Sequence, residues 1–231
     1  MQSRSLGSKN YWGFKKMKKN IFLDLLEGKS LARILMNDKI SEISLYGLVV
    51  DIGGGLNKGF YDNFKSVKDA KIINLDLKNP SGSPNKIDLE ENRLPFQNNS
   101  VDCILMFNIL EHIFNFKFLL EEVSRSLKTG GTVLGFVPFL INYHPDPNDY
   151  FRYTEEALEK IFFSVGFNFV EVAKVGGGPF YVNFNNIVLS MPKIFRPIVF
   201  VFYLILDKFF LKLRPKAARR YPLGYFFKLI K

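Results

Sequence analysis

The 231 residues suffice for one sizeable core and an appendage, not for two large domains. A balance of 47% hydrophobic and 23% charged residues excludes overall disorder, and the single cysteine, Cys103, excludes an intrachain disulfide or a cysteine-based zinc site and fits a reducing compartment. The net charge of +10 is uneven, +6 over residues 1–20, +9 over residues 191–231 and −5 between them, so two basic ends point to an anionic partner surface, phospholipid or nucleic acid.

The N-terminal stretch is basic at Lys15–Lys19, but the apolar run Ile21–Leu26 is broken by Asp24 and is too short for a signal peptide. Residues 20–45 read as one or two amphipathic helices. Leu45–Ile52 reads as a buried strand running into Gly53, Gly54 and Gly55. Lys71–Leu77 and Val101–Asn108 are further strands, the latter continuously apolar as strands covered on both faces are. Phe116–Leu127 has helical spacing and is predicted to stop in a turn at Lys128–Gly131. Thr132–Val137 is the next strand. Thr154–Val165 is a helix, with Thr154 as N-cap, Glu155 and Glu156 in the first turn, and Gly166 closing it. Phe167–Val175 is the last clear strand. Alternating strands and helices imply a mostly parallel sheet covered on both faces, with ligands bound beyond the carboxyl ends of its strands.

The residues just after each strand therefore carry the functional signal. Asp51-Ile52-Gly53-Gly54-Gly55 follows the first main strand, where glycine lets backbone approach a ligand. Asp76, 21 residues beyond Gly55, ends the second strand and is placed to accept hydrogen bonds from a ribose diol. A nicotinamide fingerprint is absent, because Lys58 stands where its third glycine belongs. Further on come Asp88-Leu89, then Leu94-Pro95-Phe96 and Ser100-Val101-Asp102, then Asn108-Ile109-Leu110-Glu111-His112.

Taken in order, these segments resemble the class I S-adenosylmethionine-dependent methyltransferases of the type 11 kind, over about residues 46–170. The resemblance implies an α/β, Rossmann-like class I methyltransferase fold. Its sheet would be mostly parallel and seven-stranded with helices on both faces, plus a C-terminal amphipathic helical appendage. It implies a methyltransferase domain over 46–185, an N-terminal helical segment over 1–45 and a basic, aromatic helical tail over 186–231. The cofactor would be S-adenosyl-L-methionine, bound by Asp51, Gly53, Gly55, Asp76, Leu77, Asp88, Leu89 and Asn108. Asn57 stands where the family often has another glycine.

The acceptor end is sought in Tyr143–Thr154, where His144, Pro147, Asp149, Tyr150, Arg152, Tyr153 and Thr154 resemble a stretch of a bacterial subset of these enzymes. His144 and Asp149 are the expected catalytic residues, His144 as general base. His112, Tyr150, Arg152 and Tyr153 are the expected acceptor-binding residues, with an internal ion pair to Asp149 or Glu155 as the other reading of Arg152. No metal ligand is assigned.

In the tail, Pro197–Leu206 is ten apolar residues, followed by Asp207, Lys208 and Lys212. On a helix Tyr203, Asp207, Lys208 and Lys212 share one side and leave a broad apolar face. Such a helix with cationic flanks suits the interface of an anionic membrane, or a re-entrant hairpin, rather than a span. A helix covering the sheet or forming a dimer contact is the other reading. The 25 Phe and 10 Tyr exceed what a soluble core of this size needs, so some are expected to face something other than water. The expected protein is thus a methyltransferase at the cytoplasmic face of a membrane. Its acceptor is small or lipid-linked, such as a saccharide of bacterial envelope glycan synthesis. The rival readings are an inactive membrane-docked module of the same fold and an RNA methyltransferase, nucleic acid being the disfavoured partner because a continuous aliphatic run is a poor surface for it.

Overall fold

The structure is a computed structural model that describes residues 11–12, 21–55, 58–80, 83 and 85–231. The remainder of the basic stretch 1–20, and Asn57, lie outside the described residues. In chain order the main elements are β1 (Tyr11–Trp12), α1 (Ile21–Glu27), α2 (Leu31–Ile40), β2 (Ser44–Ile52), β3 (Ser66–Leu75), β4 (Val101–Phe107), α3 (Phe116–Ser126), β5 (Leu127–Pro138), α4 (Glu155–Ser164), β6 (Phe169–Gly176), α5 (Pro179–Val188), α6 (Arg196–Leu213) and β7 (Pro222–Ile230).

One sheet gathers all seven strands in the order β1-β6-β7-β5-β4-β2-β3. Six of them have seven residues or more, and β1 is a two-residue edge strand. β2, β3, β4 and β5 are mutually parallel, and β7 runs antiparallel between β5 and β6. This is the expected α/β architecture. Two apolar clusters sandwich the sheet: Val50, Ile104, Val133 and Phe227 face one way, Val49, Leu105, Phe136 and Phe226 the other. Adjacent residues of each strand thus point to opposite cores, as strand geometry requires, and both cores remove water from apolar surface.

Two expectations are corrected. Lys128–Gly131 is not a turn; α3 passes straight into β5, which begins at Leu127. The tail is not helical to its end. Residues 222–230 form β7, buried along most of its length in the middle of the sheet. The physical reason is a fit between strands. A Cβ on Gly135 would come within 2.1 Å of Phe227 Cζ, and one on Gly224 within 2.3 Å of Phe136 Cζ. Aromatic rings of one strand lie over glycines of the other, and that places β7 against β5.

Candidate active site

The site forms where β2, β3, β4 and β5 end. After β2 the chain turns through Gly53, Gly54 and Gly55. A Cβ on Gly54 would lie 2.0 Å from Asp51 Oδ2, while Gly55 has φ +61° and open space where a side chain would project. The first position is closed by protein and the second left open to a ligand. Asp51 is buried, accepts a hydrogen bond from Tyr61 Oη at 2.7 Å and feels the charge of Arg33, whose guanidinium lies over the Phe60 ring. Burial pushes its carboxyl up to about 6, against the hydrogen bond from Tyr61. Asp76, just past β3, accepts from the backbone N–H of Gly55 at 2.9 Å and of Lys78 at 2.7 Å. The carboxylate thereby ties the glycine turn to the end of the neighbouring strand.

A cavity of about 250 Å³ opens beside this turn, lined by Gly53, Asp76, Leu77, Asp88, Leu89, Asn108 and His112 among others. Six of the eight residues expected at the cofactor are thus on one wall. Asp51 and Gly55 act from behind it, through Gly54 and Asp76. Asp88 is turned partly onto its own loop, accepting from Glu90 N–H at 2.9 Å. Asn108 has φ +53°, a conformation Asn adopts at lower cost than most residues.

A second cavity of about 680 Å³ shares Asn108, His112 and Asp146 with the first. Its wall includes His144, Asn142, Met36 and Asn185. The sequence reading missed the contributions of α2 and α5. Their signal was Asn185, a buried amide in an apolar helix, whose Oδ1 accepts from Ala32 N–H at 2.9 Å and joins the two helices over the cavity.

Among the expected acceptor residues the structure divides the set. Asp149 is not a free catalytic group. Its buried side chain accepts from both ends of the Arg152 guanidinium, at 2.6 Å for Nη2, and from His144 N–H at 3.0 Å. The Arg152 hydrogen bonds lower its carboxyl to about 2. Arg152 is spent in that pair, so its internal ion-pair reading holds. Tyr153 is buried in the core and donates to Leu110 O at 3.2 Å, so it faces protein rather than an acceptor. Tyr150 is exposed, its ring 5.3 Å from Phe114, and lines neither cavity. Thr154 caps α4 through Ala157 N–H, as predicted.

His112 and His144 meet edge-on, ring centroids 5.4 Å apart. His112 Nδ1 faces Asn148 O, and His144 Nδ1 faces Asn142 O at 2.9 Å. The Nε2 atoms lie 3.7 and 3.6 Å from Glu111 Oε1. The Glu111 carboxylate beside it raises the His144 pKa against partial burial. His144 is thus oriented by the protein, its Nδ1 on Asn142 O and its Nε2 facing the buried Glu111 carboxylate. Glu111 itself, quoted in the sequence motif but given no role, is fully buried and has no hydrogen-bond partner at either carboxylate oxygen.

The sequence matches the family described as methyltransferase domain over residues 51–135, the span from the glycine turn to mid-β5. Over that span the chain is similar to class I methyltransferase domains. S-adenosylmethionine is the cofactor of such domains, and the glycine turn, Asp76 and the smaller cavity lie beyond the carboxyl ends of the strands, where open α/β sheets bind ligands. Similar solved structures agree on the fold. Phosphoethanolamine N-methyltransferase 2 of Haemonchus contortus, with S-adenosyl-L-methionine, is 18% identical with a TM-score of 0.51, over 84% of this chain and 50% of that one. The same enzyme with phosphomonomethylethanolamine and S-adenosylhomocysteine gives 17% and 0.52, over 91% of this chain and 56% of that one. A SAM-dependent methyltransferase of Archaeoglobus fulgidus gives 15% and 0.55, over 91% and 98%. This chain thus spans only about half the length of the nematode enzyme. No curated protein matches the sequence.

Proposed function

We propose that this chain transfers a methyl group from S-adenosylmethionine to a small or lipid-linked acceptor at an anionic membrane surface. One observation carries the reading: two adjoining cavities beyond the strand ends share Asn108, His112 and Asp146, so a donor in one and an acceptor in the other meet at a common wall. S-adenosylmethionine supplies an electrophilic methyl on a sulfonium. The protein's part is to align the partners and exclude water.

On this reading the donor's diol rests on Asp76. Each Asp76 oxygen accepts one backbone N–H and keeps a further lone pair for a hydroxyl. Leu77, Asp88 and Leu89 border the base. Gly53 and Gly55 lie beneath the amino-acid part, with the Asp51 carboxylate balancing its positive charge. His112 and His144 wall the acceptor.

Membrane docking is assigned to α6. Its outer face exposes Ile198, Val201, Phe202, Ile205, Phe209 and Leu213, while Asp207 and Phe200 are buried against the domain. Exposed Lys208, Lys212, Arg214 and Lys216 follow, which suits anionic headgroups. Among the described residues no helix is long and apolar enough to cross a membrane, so the helix would lie in the interface. Leu189 adds an exposed apolar side chain on the rim of the larger cavity.

Titration calorimetry with S-adenosylmethionine and S-adenosylhomocysteine tests the donor site. Both are expected to bind, and Asp76→Ala to weaken them by about 1–3 kcal/mol, the cost of lost charge-assisted hydrogen bonds. A wild-type protein that binds neither ligand overturns the enzymatic reading. Mass spectrometry of lipid and glycan extracts, with and without the protein, then identifies the acceptor by the gain of one methyl group.

A further inference from the structure

We propose that Glu111, His112 and His144 form a binding site for a divalent transition-metal ion at the wall between the two cavities. One ligand atom from each of the three lies within 4.8 Å of the others. Three features separate this cluster from an incidental meeting of polar side chains.

The first is the orphaned carboxylate. Glu111 is fully buried, yet neither of its oxygens has a hydrogen-bond partner. Leaving a carboxylate so is costly unless a positive charge sits against it. Both histidines stand 3.6–3.7 Å off, too far for a hydrogen bond. Ligands around a tetrahedral zinc at about 2.0–2.1 Å are separated by roughly 3.4 Å. The observed gaps need only small movements to reach that.

The second is the tautomer of each imidazole. His112 Nδ1 meets Asn148 O and His144 Nδ1 meets Asn142 O, so both Nδ1 atoms must carry the hydrogen and donate it. The Arg152 guanidinium also approaches His144 Nδ1, but at 3.4 Å it is the weaker contact beside the 2.9 Å carbonyl. In the neutral imidazole, the form that binds a metal, each Nε2 is then left with a lone pair directed toward Glu111. A carbonyl that holds one ring nitrogen so that the other can ligate is the usual support of a metal-binding histidine.

The third is position. His112 lines both cavities and His144 the larger one. Three protein ligands leave a coordination position open, as catalytic rather than structural zinc sites do. That position lies on the acceptor side, where an oxygen of a hydroxyl or carboxylate acceptor would fill it. Ion binding stands on the cluster alone; its use as an acceptor clamp rests on the methyl-transfer reading above. In that use the bound hydroxyl gives its proton to water and its oxygen forms the bond to the methyl carbon. The carbon–sulfur pair stays on sulfur, giving S-adenosylhomocysteine.

The test uses the full chain, freed of metal by a chelator and dialysed. Zn²⁺ is titrated by calorimetry, and Co²⁺ by visible absorption, which reports low-symmetry nitrogen and oxygen coordination. One ion per chain is expected. His144→Ala and Glu111→Gln are each expected to weaken Zn²⁺ binding at least about tenfold, as loss of a ligand does, and to erase the Co²⁺ bands. His144 lies on a partly exposed loop, so its variant is expected to keep the wild-type melting temperature; the Co²⁺ spectrum of the wild type reads the site without any variant. No saturable binding of either ion, or binding and bands unchanged in His144→Ala, overturns the proposal. S-adenosylhomocysteine affinity, measured on the same samples, reports separately on the donor site.

Discussion

At the scale of single residues, Asp51 makes a prediction of its own. Its carboxyl titrates at about 6 in the free protein because it is buried. A cationic donor binds the ionised form better than the neutral one, so affinity and ionisation are linked. The dissociation constant for S-adenosylmethionine is expected to be flat above about pH 7 and to weaken as pH falls through about 6, while Asp51→Asn weakens binding and flattens the profile. For stability of the free protein the sign is opposite. The raised pKa contributes fully below about pH 4, the ordinary range of the group, and the contribution is lost as pH rises through about 6. Calorimetry from pH 5 to 8 decides; a wild-type profile as flat as that of Asp51→Asn would remove Asp51 from the donor site. The residues at this turn were legible because glycine and an acid at a strand end have few other uses. Those of the Tyr143–Thr154 loop were less so. Asp149 and Arg152 look the same in sequence whether they face a ligand or each other, and only their bidentate contact tells which. Glu111 was passed over because an unpartnered carboxylate is a fact of three-dimensional surroundings, with no mark in composition or spacing.

At the scale of elements, one acid of α6 ties that helix to the start of α5. Asp207, on the inner side of α6, accepts from the N–H groups of Gly178 at 2.9 Å, Phe180 at 3.1 Å and Tyr181 at 3.4 Å. These are donors at the start of α5 that have no partner within the helix. The carboxylate thus caps α5 from a different helix, and it sits where the helix dipole favours negative charge. Asp207→Ala is expected to cost about 1–3 kcal/mol, the penalty of buried donors left unpaired. That corresponds to roughly 2–4 °C in melting temperature per kcal/mol for a chain of this size. Asp207→Asn, keeping one acceptor, is expected to recover part of it. Calorimetric melting of the three proteins checks this, and equal melting temperatures would mean that water serves those amides. The sequence reading placed Asp207 on the polar side of α6 but took that side for the wet one. Asp207 instead turns to the protein, while Lys208 and Lys212 of the same side stay exposed. The same limit hid β7: a short run such as Tyr225–Ile230, apolar on both sides of one lysine, reads equally as helix or buried strand.

At the scale of the whole molecule, the direction in which α6 faces decides what the charged ends are for. A helix whose outer side presents Ile198, Phe202, Ile205 and Phe209 to solvent exposes apolar surface that water disfavours. α1 extends it with exposed Leu23 and Leu26, and it packs on α6 through Phe22 and Phe200, ring centroids 6.4 Å apart. On the proposed docking, the neighbouring lysines and arginines would select an anionic surface over a neutral one. Removing residues 191–231 cannot test this, since it would pull β7 out of the middle of the sheet and unfold the domain. Surface substitutions can. A protein carrying Phe202→Ser, Ile205→Ser and Phe209→Ser is expected to melt like the wild type or higher, because these side chains contribute little to the core. Each is worth about 1.5–3 kcal/mol when fully buried, so partition into phosphatidylserine vesicles is expected to fall at least about a hundredfold. Vesicles of neutral lipid, or raised salt, are expected to weaken the wild type as well, because headgroup attraction is screened within a Debye length. Cosedimentation measures all of these. If the triple variant sediments with anionic vesicles as the wild type does, α6 is not the docking element. The apolar face would then have to be covered by a protein partner or a second copy of the chain, which analytical ultracentrifugation of the wild type would show as a larger species.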